Sequence, residues 1–529
     1  MSIICSRVPD AVRLFTEKTT VVMEKNGDQY RHQDAEVTFT VRNDEMEVEL
    51  QSEQSEIRFI VLRWNGRWEK RYQFLGDAFE RGYGNLEWRG FDPQRIMPWY
   101  FLASDENESK GFGVKVRPNA LCFWMCDAEG VTLWLDVRCG AMGVILDGRK
   151  LDLAVIVNKE NRAGETAFQF AKSFCKSLCD DPLLPANPVY GSNNWYYAYG
   201  NSSHEEILRD TQLLAELTEG LENRPFMVID DCWQELALTK GAAGRPITRG
   251  NERFPDMSGL AKEMKAKNVK PGIWIRPLES NEMFLSGNYR SPRSREVMDP
   301  SVPEVLALIA EDMDRVTGWG YELVKYDFAT CDIFGGFFSE ARPILQQRGW
   351  SFRDRSKTSA ECVKDLYRTI YEHSHGAILI GCNVIGHLAA GYIHLHRSGD
   401  DTSGHSFDRT VMMGVNTLAF RMCQHKTFFD MDADCVGITE RIPWEENKKF
   451  LELLAGSGTP LFVSAKPDVI TEEMKQDLKK AFQRASIQED ELIPLDWKNT
   501  TVPERYLMSG EKKEYTWVGE FGLASYSSL

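Results

Sequence analysis

Carboxylate side chains follow three short apolar runs in the middle of the chain. The run FMVI precedes Asp230 and Asp231, YELVKYDF contains Asp327, and YIHLHRSGDD ends at Asp400 and Asp401. A single aspartate after an apolar strand is usually a helix N-cap or half of a loop ion pair. Several such strands together indicate an active site. Grouped carboxylates of this kind either hydrolyse a glycosidic bond or hold a divalent cation.

Cations and aromatic rings accompany these carboxylates. Lys325 and Asp327 share one face of a predicted strand, because alternate residues of a strand point to the same side. Arg397 lies four residues before Asp401, and Trp274 lies within the run KPGIWIRPL. Aromatic rings suit the flat C–H faces of sugars, and the chain contains 14 Trp. The aromatic residues therefore favour glycoside hydrolysis.

Metal-assisted hydrolysis is the competing chemistry. The middle of the chain lacks the spaced histidine pairs that are common at zinc sites, and the HSH segment at 373–375 is typical of a solvated helix end. Cys175 and Cys179 have no second pair at a matching spacing, which also argues against zinc. We therefore expect neither a metal nor another cofactor.

The elements that must position these residues begin after Pro185. Strand-like runs such as FMVIDDCW and KPGIWIRPL alternate with helical patterns such as MSGLAKEMKAKN. Such alternation implies a parallel sheet. About eight strand–helix units in residues 186–470 favour a (β/α)₈ TIM barrel over an open sheet. The carboxyl ends of barrel strands meet at one face, where active sites form.

The flanking segments have a different pattern. Short β-branched and aromatic runs such as VTFTVRN and IRFIVLRW fill residues 1–185 and predict a β-sandwich. Residues 76–101 form a long glycine-rich and aromatic stretch within it, and loops of this kind are often functional. Residues 471–529 show only a few weak strand patterns. We expect a short C-terminal β region there, so the fold class is multidomain, α/β plus β.

Composition excludes several classes of partner. With 63 Lys+Arg and 79 Asp+Glu the formal net charge is −16, so no basic excess is available for nucleic acid or an anionic membrane. Neither a signal-peptide pattern nor an apolar run long enough to span a bilayer is found. The 12 cysteines have no repeating spacing and indicate free thiols in a reducing compartment. We therefore expect a cytoplasmic protein.

Taken together, these motifs resemble a known family. LVKYDF resembles the nucleophile motif of the α-galactosidases of glycoside hydrolase clan D, and RSGDDTSG resembles the clan's acid/base motif, an Arg with an Asp four residues later. VIDDCWQ, GIWIRP and NNWYYAY are similar to its hexose-binding turn, a Gly-x-Trp strand and the first barrel strand. GCNVIGHLAAGYIHLHRSGDD and DMDADC match segments of family 36, which is related to family 27. The resemblance covers residues 190–465 and implies an N-terminal β-supersandwich before the barrel.

The resemblance implies a retaining mechanism. Asp327 would be the nucleophile and Asp401 the general acid/base, with the adjacent Asp400 as the alternative for the second role. Lys325 would keep the nucleophile charged and hydrogen-bond a ring hydroxyl. Retaining enzymes hold their two carboxyl groups roughly 5–5.5 Å apart.

The resemblance also implies a sugar pocket. Asp230 and Asp231 would accept hydrogen bonds from O4 and O6, and Arg397 would lie near O2. Cys382 matches a pocket cysteine of the family, but a small buried side chain explains it equally well. Arg276 matches no family role and would either recognise a charged substrate or pair with an Asp. The expected aromatic residues around the sugar are Trp195, Trp233 and Trp274, with Trp88 of the N-terminal loop as a further candidate.

The sequence therefore predicts the activity of an α-galactosidase acting on an oligosaccharide or glycoconjugate. An α-N-acetylgalactosaminidase or a galactosyltransferase of the raffinose-synthase type would use the same catalytic pair, and a roomy neighbourhood of Cys382 and Arg397 would favour the acetamido sugar. A non-catalytic carbohydrate-binding protein is the alternative of another class. Nothing in the residues demands an oligomer, although the family resemblance is compatible with a homo-oligomer.

Overall fold

A computed structural model of the chain describes residues 4–105, 107–237, 243–487 and 492–523. Its N-terminal part is built from short strands, as the sequence predicted. The strands are β1 (Ala11–Thr16), β2 (Thr20–Val22), β3 (Glu24–Asn26), β4 (Gln29–His32), β5 (Ala35–Arg42), β6 (Glu45–Gln51), β7 (Glu56–Asn65), β8 (Gln73–Gly76), β9 (Met97–Pro98), β10 (Tyr100–Ser104), β11 (Ser109–Val114), β12 (Leu121–Asp127), β13 (Gly130–Asp136), β14 (Val144–Ile145) and β15 (Lys150–Glu160).

These strands form two antiparallel sheets. One has the order β2-β1-β7-β13-β12-β9 with β14 paired to β7, and the other has the order β3-β4-β5-β6-β15-β11-β10-β8. Aromatic residues fill the space between them. Phe101 of β10 in the second sheet lies 5.8 Å, ring centre to ring centre, from Trp124 of β12 in the first. The two sheets therefore share one apolar core, as in a sandwich.

The middle of the chain contains a parallel sheet of nine strands in the order β22-β21-β20-β19-β18-β17-β16-β24-β23. Its strands are β16 (Tyr190–Asn193), β17 (Phe226–Ile229), β18 (Lys270–Ile275), β19 (Leu323–Tyr326), β20 (Ile378–Gly381), β21 (Leu395–Arg397), β22 (Asp430–Asp432), β23 (Cys435–Ile438) and β24 (Leu461–Ala465).

The two edge strands of this sheet are consecutive in the chain. Only Ala433 and Asp434 separate β22 from β23, and Asp434 has φ 75°. Because so short a link keeps the two edges next to each other, the sheet curls back on itself. The nine strands therefore form one curled parallel sheet, with a break at Asp434 between its two edge strands. The predicted curled, parallel sheet is therefore present.

Helices follow most barrel strands and cover the sheet. The helices of the described residues are α1 (Ala167–Lys176), α2 (Trp195–Ala198), α3 (His204–Leu217), α4 (Met257–Ala266), α5 (Pro303–Gly318), α6 (Ala329–Phe334), α7 (Ala341–Leu345), α8 (Ser359–Glu372), α9 (Gly386–Ala389), α10 (Phe407–Thr410), α11 (Asn416–Arg421), α12 (Trp444–Ala455) and α13 (Glu472–Ala485). The segment between α10 and α11, Val411–Val415, is a π-helix. The connection from β20 to β21 contains only the short α9.

The C-terminal prediction is wrong at its beginning. Residues 472–485, which we expected in a β region, form α13, with Thr471 as its N-cap. Leu478, Phe482 and Ala485 recur at helical spacing on its buried face, and Asp477 accepts a hydrogen bond from the Trp444 indole of α12 at 3.2 Å. The last described strands, β25 (Leu492–Pro494), β26 (Arg505–Met508) and β27 (Glu511–Glu514), then form a small antiparallel sheet.

The loop at 76–101 connects the sandwich to the barrel. The side chain of Arg421, which is only 2% exposed, donates to Asp77 at 2.8 Å and to the Glu80 carbonyl at 2.9 Å. It also donates to the Ser398 carbonyl, just after β21, at 2.8 Å. One buried guanidinium group therefore ties this loop to the carboxyl end of a barrel strand.

The eleven cysteines whose side chains are described are free thiols, as the sequence predicted. None of the helices in the described ranges combines the length and the apolar composition required to cross a membrane.

Candidate active site

The predicted catalytic residues lie at the carboxyl ends of two parallel strands, β19 and β21, on either side of β20. Lys325 of β19 is in register with Trp274 of β18 on one side and with Ile380 of β20 on the other. Asp327 follows β19, and Asp401 follows β21, two strands further along the sheet. The parallel pairing of these strands is the reason that residues distant in sequence meet at one edge.

The carboxylate of Asp327 is buried and held by three donors. Its Oδ2 accepts a hydrogen bond from the Trp274 indole at 3.1 Å. Its Oδ1 accepts from the backbone N–H of Phe328 at 2.6 Å and from the side-chain amide of Asn383. Asn383 follows β20 with a φ of 51°. Because both oxygens are engaged, the carboxylate is fixed in one orientation, which a nucleophile requires.

Asp401 is more accessible and lies among cations. Its side chain is 42% exposed, its Oδ1 accepts a hydrogen bond from Arg397 at 3.0 Å, and Arg81 Nη1 lies 3.5 Å from the same oxygen. Burial of the surrounding recess raises the pKa of Asp401, but the charges of Arg397, Arg81 and Lys325 outweigh it and hold this pKa below the usual range for aspartate.

Asp400 has a different environment, although it is the adjacent residue. Its Oδ1 lies 2.8 Å from Arg81 and its Oδ2 lies 2.8 Å from Arg409. Its side chain is 16% exposed, and its backbone N–H donates to the Gly82 carbonyl at 2.8 Å. Both carboxylate oxygens are thus committed to arginines. Asp401 is therefore the more accessible of the two carboxylates.

Asp230 and Lys325 form a buried ion pair on the floor of the site. Lys325 Nζ lies 2.7 Å from Asp230 Oδ2, which also accepts from the Asn193 amide at 2.7 Å. Burial lowers the pKa of Lys325, but the charge of Asp230 more than compensates, so the pKa lies above its usual range. We expected Lys325 to bind a sugar and support Asp327; its hydrogen bond in the structure is to Asp230.

Asp231 lies beside this pair and is 5% exposed. Its Oδ1 accepts from the backbone N–H of Cys232 at 2.6 Å, and its own N–H donates to Asp230 at 2.9 Å. Cys232 has φ 77°, so the chain turns sharply after β17. This turn places the two predicted sugar-binding carboxylates at the strand end.

Arg397 links the acid/base candidate to the interruption between β22 and β23. Its Nη2 lies 3.0 Å from Asp401 and 3.1 Å from Asp434 Oδ2. Asp434 also accepts a hydrogen bond from the hydroxyl of Tyr196. Burial raises the pKa of Asp432, next to this group, to about 6, against the opposing charge of Arg397. The arginine is therefore held by two carboxylates, one in the loop after β21 and one in the link between β22 and β23.

The predicted aromatic wall is only partly present. Trp274 contacts Asp327, and Trp195 is half-buried near Tyr199, with ring centres 5.7 Å apart. Trp233 has no exposed surface; it packs against Trp319 and donates to the Trp274 carbonyl at 2.8 Å. A side chain with no exposed surface does not contact a ligand in this conformation, so Trp233 supports β18 instead of lining the pocket.

Trp88 contacts the C-terminal part of the chain. Its ring lies 5.2 Å from that of Trp497, and Lys498 Nζ lies 5.2 Å from its ring centre. These contacts correspond to a packing role. The same loop does reach the catalytic edge, but through Arg81.

Of the two residues with open interpretations, Cys382 is buried and Arg276 is half-buried. Cys382 is 1% exposed, and burial raises the pKa of its thiol, which lies near the charges of Asp327 and Arg397. Arg276 makes a bidentate ion pair with Asp332, at 3.0 and 2.6 Å, and its guanidinium group lies 4.6 Å from the Phe328 ring centre. Arg276 thus pairs with an Asp, one of the two roles considered from sequence.

Among the described residues, one cluster has suitable atoms for a metal ion, namely Asp314, His373 and His375. One carboxylate oxygen of Asp314 lies 2.9 Å from His373 and 2.7 Å from His375. The cluster lies at the ends of α5 and α8, where the chain is about to enter β19 and β20. It is therefore at the face opposite to Asp327 and takes no part in chemistry there.

Several residues of the site were not predicted. Asn383 and Tyr196 occur in motifs that the sequence analysis identified, but no role followed from their types. Arg81 and Glu80 lie in the loop 76–101, whose length and composition were the only signal. Arg81 contacts Asp401, 320 residues away, and Glu80 accepts from Phe338, 258 residues away, so no local pattern could identify these roles.

Comparison with solved structures identifies proteins that share this fold. The α-galactosidase TtGalA of Thermus thermophilus, solved with p-nitrophenyl α-D-galactopyranoside, matches with a TM-score of 0.62 and 14% identity, over 96% of this chain and 99% of that one. The family 36 (GH36) α-galactosidase AgaA of Geobacillus stearothermophilus matches with a TM-score of 0.63 and 14% identity, over 95% of this chain and 79% of that one. The sequence matches no protein-family model and no curated protein. The chain therefore has the fold of the family 36 α-galactosidases.

Proposed function

We propose that the protein is a retaining exo-α-glycosidase that removes terminal α-galactose, with Asp327 as nucleophile and Asp401 as acid/base. The observation that carries this proposal is the contrast between two carboxylates at one edge of the sheet. Asp327 is buried and fixed by three donors, whereas Asp401 is accessible and held through one oxygen. The similar structures of TtGalA contain p-nitrophenyl α-D-galactopyranoside or stachyose, which supports an α-galactoside as substrate.

In the first step, Asp327 attacks the anomeric carbon while Asp401 gives its proton to the glycosidic oxygen. In the free protein Arg397 and Arg81 favour the ionised form of Asp401. A bound sugar would exclude water from this carboxyl group, and desolvation favours the protonated form. Substrate binding therefore prepares the acid, and Arg397 remains available to the sugar hydroxyl next to the reacting carbon.

In the second step, Asp401 removes a proton from water while the water oxygen attacks the anomeric carbon. The bond between that carbon and Asp327 breaks, and the sugar is released. Two displacements at the same carbon restore the original configuration. The released product is therefore α-galactose, and Asp327 is free for another cycle.

Recognition of the sugar is assigned to Lys325, Asp230 and Asp231. An ammonium group has three N–H donors, and the Asp230 contact uses one of those on Lys325. The donors that remain, with the carboxylates beside them, suit the O4 and O6 hydroxyls of galactose. Trp195, which is half-buried, supplies apolar surface for the C–H face of the ring, whereas Trp274 is 1% exposed and acts through its hydrogen bond to Asp327.

Galactose is favoured over N-acetylgalactosamine by the surroundings of O2. The two residues expected there, Cys382 and Arg397, are 1% and 2% exposed. A closely packed neighbourhood supports a hydroxyl group at C2 in preference to the larger acetamido group.

The proposal is tested by hydrolysis of a panel of p-nitrophenyl α- and β-glycosides, with the anomer of the released sugar followed by NMR. We expect activity on the α-galactoside and α-galactose as the first product. Release of β-galactose would contradict the retaining mechanism. Activity on the α-N-acetylgalactosaminide alone would mean that the substrate carries N-acetylgalactosamine instead of galactose.

The control is Asp327→Ala prepared in the same way. It removes the proposed nucleophile and should be inactive, so any activity that persists in it comes from a contaminating enzyme. A wild-type protein that binds galactose but hydrolyses no α-glycoside would support the alternative of a carbohydrate-binding protein.

A further inference from the structure

Arg81 of the N-terminal loop lies within the carboxylates of the barrel site. Its side chain is 6% exposed, and its guanidinium group is 2.8 Å from Asp400 Oδ1 and 3.5 Å from Asp401 Oδ1. The rings of Tyr83 and Phe337 lie 5.4 and 5.1 Å from its guanidinium carbon. Arg81 is therefore held by aromatic rings and directed at the acid/base candidate.

The backbone next to Arg81 is attached to the same strand end. The N–H of Gly82 donates to the Ser398 carbonyl at 2.7 Å, and the N–H of Asp400 donates to the Gly82 carbonyl at 2.8 Å. These two bonds make a short parallel bridge between the loop and the segment that carries Asp401. The backbone next to Arg81 is therefore held in place, as its guanidinium group is.

Glu80 is a further charged neighbour of Arg81. It is fully buried; its Oε2 accepts from the Phe338 N–H at 3.0 Å, and its Oε1 lies 3.6 Å from Arg81 Nε. Oε1 has no hydrogen-bond partner among the described residues. Burial raises the pKa of Glu80 to about 7, although Arg81 opposes this shift. A partly neutral Glu80 leaves the charge of Arg81 directed mainly at Asp400 and Asp401.

We propose that Arg81 is a positioning residue for the acid/base Asp401, so that the N-terminal part of the chain completes the catalytic site of the barrel. This inference rests on the proposed function. Arg81 and Arg397 both contact Oδ1 of Asp401. With that oxygen held from two sides, the other oxygen is directed at the position where the glycosidic oxygen must lie. Arg81 also balances the negative charge of Asp400, which would otherwise repel that of Asp401.

The charge of Arg81 also affects the pKa of Asp401, together with the other charged and hydroxyl groups near it. The cations that face it are Arg397, Arg81 and Lys325. The anions and hydroxyls near it are those of Asp400, Asp434, Tyr196 and Tyr199. Removal of one cation raises the pKa of Asp401, so the proton needed in the first step is retained to higher pH.

The test compares Arg81→Met and Arg81→Lys with the wild type on p-nitrophenyl and methyl α-galactoside across pH. For Arg81→Met we expect kcat/KM on the methyl galactoside to fall roughly 10- to 100-fold through loss of orientation, with a much smaller fall on the activated aryl substrate. The basic limb of the pH profile should move up by about one unit. Arg81→Lys keeps a cation, so its basic limb should lie close to that of the wild type. Its kcat/KM on the methyl galactoside should be restored to a smaller extent.

Two matched variants separate this role from a structural one. Arg409→Met removes the other arginine on Asp400 but leaves both contacts of Asp401, and we expect it to retain the wild-type dependence on leaving group. Arg89→Met changes an exposed arginine in the same loop and controls for the loop itself. If Arg81→Met does not fold, Arg81→Lys alone still carries the comparison.

The outcomes are distinct. If Arg81→Met changes both substrates equally and leaves the pH limb in place, or if Arg409→Met reproduces its effects, the inference is wrong. A wild-type protein that is inactive on every α-galactoside would overturn the proposed function first, and this inference with it.

Discussion

Replacement of Lys325 by Met should destabilise the protein, because it leaves Asp230 as an unpaired buried carboxylate. The two charged groups are 2.7 Å apart and their side chains are 10% and 5% exposed. Removal of one partner of a buried ion pair costs about 3–5 kcal/mol. We expect about 3 kcal/mol, at the lower end of this range, because Asn193 and the Asp231 N–H still donate to Asp230. At roughly 2 °C per kcal/mol for a large domain, Tm should fall by about 6 °C.

The assay is thermal unfolding followed by tryptophan fluorescence, together with turnover of p-nitrophenyl α-galactoside. The control is the double variant Asp230→Asn, Lys325→Met, which removes both charges. It should regain most of the lost Tm, since no buried charge is left unpaired, yet remain inactive, since the sugar has lost its partners. A Tm change of less than about 1 °C in Lys325→Met, or a double variant less stable than either single one, would refute this reasoning.

Three further outcomes follow from the site. Asp327→Ala should lower turnover by about 10⁴-fold or more, and added azide should partly restore it with inversion at the anomeric carbon; absence of rescue would argue against a nucleophile at this position. Asp401→Ala should slow the methyl galactoside by roughly 10²–10⁴-fold and the activated aryl galactoside far less, whereas Asp400→Asn should show no such dependence on leaving group; the reverse result would exchange their roles. Glu80 has a pKa of about 7 in the folded protein against an ordinary 4.5, so its contribution to stability is present below pH 4.5 and is lost as the pH rises through 7. Glu80→Gln should therefore be more stable than the wild type at pH 8, by on the order of 2 kcal/mol, but not at pH 4.5; a Tm difference that does not change with pH would contradict this.

Much of the fold was predictable because its signals are local. The alternation of apolar runs and amphipathic helices identified a parallel sheet, and the pairing of β16 to β24 agrees with it. The period of two along β19 placed Lys325 and Asp327 together, which the structure retains. The helix α13 was missed because its sequence, EEMKQDLKKAFQRA, is mostly polar, and its few apolar residues were too weak a signal.

The individual site residues were less predictable. Trp233 and Trp88 were expected near the sugar on the basis of their type, but both are buried in packing contacts. An aromatic ring suits a protein core as well as a sugar, so its type alone does not decide between them. Asn383 lacked a predicted role because an amide donor becomes informative only when its acceptor, here Asp327, is known.

By itself, the sequence determined the parallel sheet and the side chains at the carboxyl ends of its strands, because each depends on periodicity over a few residues. Only the tertiary structure decided which carboxylates are fixed and which is accessible. Arg81 and Asp401 are 320 residues apart, yet they lie at hydrogen-bond distance because a loop of the sandwich folds onto β21. The interaction of two charges depends on the distance between them and on how deeply they are buried. Neither the distance nor the burial is determined by the neighbouring residues in the chain.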